Sequence, residues 1–108
     1  MWKKIVEGFD NVDLIFPTQQ RDVLKLVKGL RKHENVLKIV IFGSSTRSDC
    51  NPWSDLDVYI ELKEDKYPRM NYGSIEAALD VWTNFTVDEQ LYNEIMDTGV
   101  VVYTANGS

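Results

Sequence analysis

Seven residues, Val36 to Phe42 (VLKIVIF), constrain the fold of this chain more than any others. The run is β-branched and almost wholly apolar, and it is bounded by Asn35 and Gly43. Such a run reads as a strand buried in a sheet rather than one with a wet face. The rest of the chain must therefore supply strands beside it and helices over it.

The flanking segments carry those patterns. Pro17-Thr18 opens a helix over roughly 18–33, with Thr18 as its N-cap. Val23, Leu24, Val27 and Leu30 recur at helical spacing as its core face. Arg21, Lys25, Lys28 and Lys32 make a basic stripe on another face, suited to water or to an acidic partner. Asp55 to Leu62 (DLDVYIEL) alternates Asp55, Asp57, Tyr59 and Glu61 against Leu56, Val58, Ile60 and Leu62, which predicts a second strand. Ala77 to Thr83 (AALDVWT) reads as a third. Thr86 and Glu89 form a capping-box pattern before a helix whose expected buried face is Leu91, Tyr92, Ile95 and Met96, with Gly99 placed to end it. Val100 to Tyr103 is a last short strand, and residues 1–16 suit a short helix or a strand equally. Residues 43–54 are turn-rich and 63–76 are polar with Pro68 and Gly73, so both are connections. The order α-β-turn-β-loop-β-α-β predicts an α+β fold, an α/β-type sandwich with helices packed on a small mixed sheet.

Composition bounds the function classes. A chain of 108 residues makes one domain, 44% apolar and 27% charged, as in ordinary globular proteins. No apolar run approaches the roughly 20 residues that span a bilayer. Acids interrupt the segment after Lys3 and Lys4, leaving no signal-peptide core, and no membrane association is expected. Cys50 is the only cysteine, so no internal disulfide forms and a cytoplasmic location is expected. A net charge of −5 argues against broad nucleic-acid binding. That charge is uneven: residues 1–48 hold nine Lys/Arg and five Asp/Glu (net +4), and residues 49–108 hold three and twelve (net −9). An acidic half suits cations, and suits a solvated surface equally.

Chemistry concentrates in IFGSSTRSDCNPWSDLDVYI. Gly43 ends a buried strand and lacks a Cβ, so a ligand or the next backbone turn can approach closely. Ser44 and Ser45 bring hydroxyls and backbone N–H groups, the donors a phosphate chain requires. Taken alone, Gly-Ser after a strand is more simply a turn. Asp55 and Asp57 point to one face of their strand, where two like charges repel unless a cation neutralises them. Mg²⁺, which takes one or two carboxylates plus substrate phosphates, does this well. Taken alone, Asp-Leu-Asp would also suit a solvated edge strand.

The joint spacing is far more specific. Gly43-Ser44, ten residues, then Asp55-x-Asp57 resembles the Gly-Ser-x10-Asp-x-Asp signature of the polymerase-β-like nucleotidyltransferase superfamily. An apolar strand before Gly43, Arg47 in the turn and Ser54 before Asp55 extend the likeness. In length and element order the chain resembles the minimal nucleotidyltransferases, over a core of about residues 18–104. The resemblance implies a third carboxylate on a later strand. Asp80, an acid between Leu79 and Val81, is the candidate; Asp65 lies in a polar loop and Asp88 is explained by helix capping. Two departures stand out: Ser48 follows Arg47 where many members have glycine, and residues 63–76 leave little room for the helix many relatives place there.

The resemblance further implies catalysis by Asp55, Asp57 and Asp80 with two Mg²⁺ ions (or Mn²⁺). Gly43, Ser44, Ser45 and Arg47 would bind the phosphates of ATP or another nucleoside triphosphate. Larger relatives append a helical acceptor-binding domain, whereas only TANGS follows Tyr103, so the acceptor platform is expected from another chain. A helical partner of the HEPN class, an antitoxin-like pairing, is the first expectation, and a homo-oligomer the other source. A non-catalytic binding module and a small-molecule nucleotidyltransferase are the alternatives. His33 stands alone, so no zinc role is expected, and Trp53 and Trp82 suit core packing better than base stacking.

Overall fold

In the computed structural model, which describes residues 2–43, 56–66 and 79–105, the elements run in the expected order. They are α1 (Pro17–Leu30), β1 (Val36–Phe42), β2 (Leu56–Leu62), β3 (Leu79–Thr83), α2 (Glu89–Thr98) and β4 (Val100–Thr104). The strands form one mixed sheet in the order β3-β2-β1-β4. β1 pairs antiparallel with both β2 and β4, and β2 pairs parallel with β3. The architecture is α+β, as the sequence predicts. β1 is the most apolar strand and lies inside the sheet, because it has no face that water could solvate.

The two helices cover opposite faces unequally. Val23, Leu26, Val27 and Leu30 of α1 pack on Ile39, Ile41, Leu56, Val58, Ile60, Leu62 and Val102. On the other face, Ile95 of α2 packs with Val40, Phe42 and Tyr59. Full burial of one large aliphatic side chain is worth about 1.5–3 kcal/mol, so α1 is held several-fold more strongly than α2. The expected buried face of α2 is only partly realised. Ile95 is buried and Leu91 half-buried, whereas Tyr92 and Met96 are 37% and 40% exposed. Helical spacing identified the apolar stripe; the single layer of sheet beneath covers only its centre.

The helix ends also depart from the sequence reading. α1 starts at Pro17, with proline at the first helical position and no side-chain cap, rather than at a capping Thr18, and it stops at Leu30. Asp88, not Thr86, caps α2: its Oδ1 accepts the Leu91 N–H at 2.7 Å. The Thr86 hydroxyl is already engaged, accepting from Thr83 N at 2.8 Å. Gly99 ends α2 as expected, but in extended rather than left-handed backbone (φ −75°). Its reason is space, since a Cβ there would meet Val40 Cγ1 and the Ile95 carbonyl oxygen, both at 2.5 Å.

The N-terminal segment is neither of the forms weighed for it. It runs without regular structure to a 3-10 turn at Val12–Leu14 and is pinned by Gln20. That buried amide accepts from Ile5 N at 2.7 Å and donates to the Lys3 and Ile15 carbonyls at 2.8 and 3.0 Å. Trp2 packs edge-on against Phe16, and Phe9 joins the α1 core, so these aromatics serve packing. Among the described residues no helix is long and apolar enough to cross a membrane.

Candidate active site

The site is built where β1 ends and β2 begins. Gly43 follows the last residue of β1 with φ +76°, in the left-handed region that side-chain-bearing residues avoid. A Cβ at this position would strike the Asp57 carboxylate: it would meet Oδ2 and stand 3.2 Å from Cγ. Glycine is thus demanded twice, by the backbone angle and by the acid lying against it. Asp57 lies opposite Phe42 in the antiparallel β1–β2 register.

The parallel pairing of β2 with β3 completes the arrangement. Its register sets Asp57 directly opposite Asp80. Tyr59 and Trp82, two residues further along each strand, belong to the cluster under α2, so both carboxylates share that face. Adjacent strands lie only about 4.8 Å apart, and like charges directly opposite one another destabilise a sheet. Asp57 is half-buried and Asp80 exposed, so the pair opens towards solvent from a partly desolvated edge. Paired oxygen donors of this kind suit a hard divalent cation, which removes the repulsion, and the donor set fits Mg²⁺. Among the described residues no cluster of three His, Cys, Asp or Glu gathers as for a metal; Asp57 and Asp80 stand as a pair.

Aromatic side chains line the same face. Phe42 and Trp82 have ring centroids 5.5 Å apart, and Tyr59 meets Tyr92 edge-on at 6.0 Å. Trp82 is therefore a packing residue, as the sequence favoured. Tyr59 is fully buried, and among the described residues its hydroxyl finds no hydrogen-bond partner. Burial, then the charge of Glu61, then Tyr92, push its pKa from 10.0 up to about 12. The phenol stays neutral at working pH and is no general base. Nothing in the sequence marks Tyr59 beyond its two-residue spacing from Asp57.

Of the residues singled out by sequence, the structure brings together Gly43, Asp57 and Asp80. Ser44, Ser45, Arg47 and Asp55 lie outside the described residues, as do Trp53, Cys50 and the loop beyond Lys66. A polar cavity of about 270 Å³ lined by Glu34, Asn35, Lys63 and Glu64 lies at the far end of β1 and β2. The Asn35 amide clamps that end, accepting from Glu64 N at 2.7 Å and donating to the Lys66 carbonyl at 2.7 Å.

The family model of the nucleotidyltransferase domain matches residues 23–103, which contain every candidate site residue from Gly43 to Asp80. No curated protein gives a match to the chain. With its four-stranded mixed sheet, its two helices and this match over most of its length, the chain belongs to the nucleotidyltransferase domain family of the polymerase-β-like superfamily.

Proposed function

We propose that this domain transfers a nucleotidyl group, AMP from ATP, to a hydroxyl on a separate protein. One observation carries the reading: Asp57 and Asp80 face each other in register on parallel strands, with Gly43 held against Asp57. Facing carboxylates supply the oxygen donors a hard divalent cation takes, and a bound cation would relieve the repulsion between them.

In the proposed reaction the acceptor oxygen attacks the α-phosphorus as the bond to the bridging α–β oxygen breaks. Pyrophosphate leaves, and the hydroxyl proton passes to a carboxylate, a role that exposed Asp80 would take. Asp57, Asp80 and Asp55 would hold Mg²⁺, whose chemistry is to offset charge on the attacking and leaving oxygens. Gly43 supplies a backbone approach free of side-chain bulk, and Ser44, Ser45 and Arg47 would take the phosphates. The proposed partner is a helical protein of the HEPN class, in an antitoxin-like pairing.

The test combines purified chain, Mg²⁺, ATP and a candidate partner, read by intact mass. The expected result is a partner heavier by one or more AMP units, lost in the Asp55→Asn, Asp57→Asn double variant. Retained transfer by that variant would sink the assignment. A stable but unmodified complex would favour a non-catalytic binding module.

A further inference from the structure

The outer flank of α2 combines exposed apolar side chains with unbalanced charge. Tyr92 and Met96 are one helical turn apart and share a flank, each more than a third exposed. Phe85, in the turn leading into α2, is 46% exposed. Single exposed apolar residues need no explanation, but paired ones on a lightly held helix do. On that side of α2 Glu89 lies beside Met96 and Asp97 lies beyond it, both exposed, and among the described residues no ion pair engages them. Its last turn has no basic residue, although cations are the charges that a helix C-terminus favours. From Met70 to Ser108 the sequence has six Asp/Glu and no Lys, Arg or His, so this region has no cation of its own to offer.

We infer that this flank of α2 is a docking surface for a separate protein that presents a basic face with an apolar centre. Charge complementarity selects the occupant. Two copies meeting α2 to α2 across a two-fold axis would bring their acidic flanks together, which repels. A copy meeting it with the Arg21, Lys25, Lys28 and Lys32 stripe would use the opposite side of the sheet, because α1 and α2 cover opposite faces. That contact is heterologous, so it would build a ring or an open chain of many copies rather than one closed pair. A different, basic partner satisfies both the apolar and the acidic features in one closed contact.

The location deepens the proposed function and rests on it only for the identity of the bound protein as acceptor. Tyr92 touches Tyr59, which is two residues along β2 from Asp57 on the same face. One strand residue advances about 3.4 Å, so a body seated on Tyr92 lies within roughly 10–15 Å of the carboxylate pair.

The probe is a fluorescent amphipathic peptide of about five helical turns, leucine on one face and lysine on the other. A glutamate-for-lysine version is the control, and binding to the whole chain is read by anisotropy. The lysine peptide should bind with affinity that falls as salt rises, and the glutamate peptide should not. The Tyr92→Ser, Met96→Ser pair should weaken binding about tenfold or more. The Glu89→Lys, Asp97→Lys pair should do the same, and it changes only exposed side chains, so the fold is kept. Equal binding by both peptides, or unchanged binding by both variants, would overturn the inference. So would self-association in sedimentation that the same variants abolish. Asp57→Asn should leave peptide binding intact, which separates failure of docking from failure of the catalytic reading.

Discussion

Replacing Gly43 by alanine tests the site through one methyl group. Two costs follow from its geometry. At φ +76° an alanine sits in the left-handed region, which costs about 1–2 kcal/mol. The new Cβ would also meet Asp57 Oδ2 and lie 3.2 Å from Cγ and 3.5 Å from Cβ, so the whole carboxylate must swing, not merely its tip. For a domain of this size the strain lowers Tm by roughly 5–10 °C, measurable by thermal unfolding. The swing matters more for chemistry. A misplacement of about 1 Å in a reacting constellation costs on the order of 100-fold in rate. Gly43→Ala should therefore keep a cooperative melt yet lose about 100-fold in Mg²⁺-dependent nucleotidyl transfer at a temperature where it is fully folded. Mg²⁺ titration followed by the shift in Tm should show weakened binding in parallel. Transfer within about threefold of the parent, a difference below roughly 0.7 kcal/mol, would refute the claim that Gly43 is glycine because Asp57 lies against it.

Three further outcomes follow from the same geometry. Asp80→Asn removes one of two facing charges, so in chelator the melting temperature should rise by the equivalent of about 0.2–1 kcal/mol while the Mg²⁺-induced stabilisation and transfer both fall; an unchanged Mg²⁺ response would remove Asp80 from the site. Tyr59→Phe deletes a buried hydroxyl that finds no partner among the described residues and should stabilise the fold by about 1 kcal/mol in denaturant titration, where a loss of that size would reveal an unseen bond. Gly99→Ala, at φ −75°, carries no backbone strain but presses a methyl onto Val40 and the end of α2, so it should cost about 1–3 kcal/mol by calorimetry and leave transfer per folded molecule unchanged.

Much of the fold was legible because strong local patterns agreed with their surroundings. VLKIVIF became β1 residue for residue, since an apolar strand has few alternatives to the inside of a sheet. Helix ends were less legible because several residues competed for each. Thr86, Asp88 and Glu89 all suit a helix start; Asp88 caps it because Thr86 turns back to the end of β3. The facing of Asp57 and Asp80 was not legible at all. It depends on the register of two parallel strands, and a shift of one residue would have put Asp80 on the other face. Sequence offered only an acid among apolar neighbours, and the resemblance supplied the expectation of a third carboxylate.

The same reasoning separates the two faces of the sheet by task. The α1 face holds most of the core, and its buried side chains explain why the domain folds. The α2 face buries one helical residue fully, leaves a tyrosine hydroxyl without a partner among the described residues and sets two carboxylates opposite each other. The single buried helical residue adds little stability and the other two features work against it, and all three occur on one side. A sequence under selection for folding alone would have filled the flank of α2 with charges of both signs and replaced one of the facing acids. Features that work against the fold gather on one face of the sheet, and that is the face on which the proposed site and the proposed docking surface both lie.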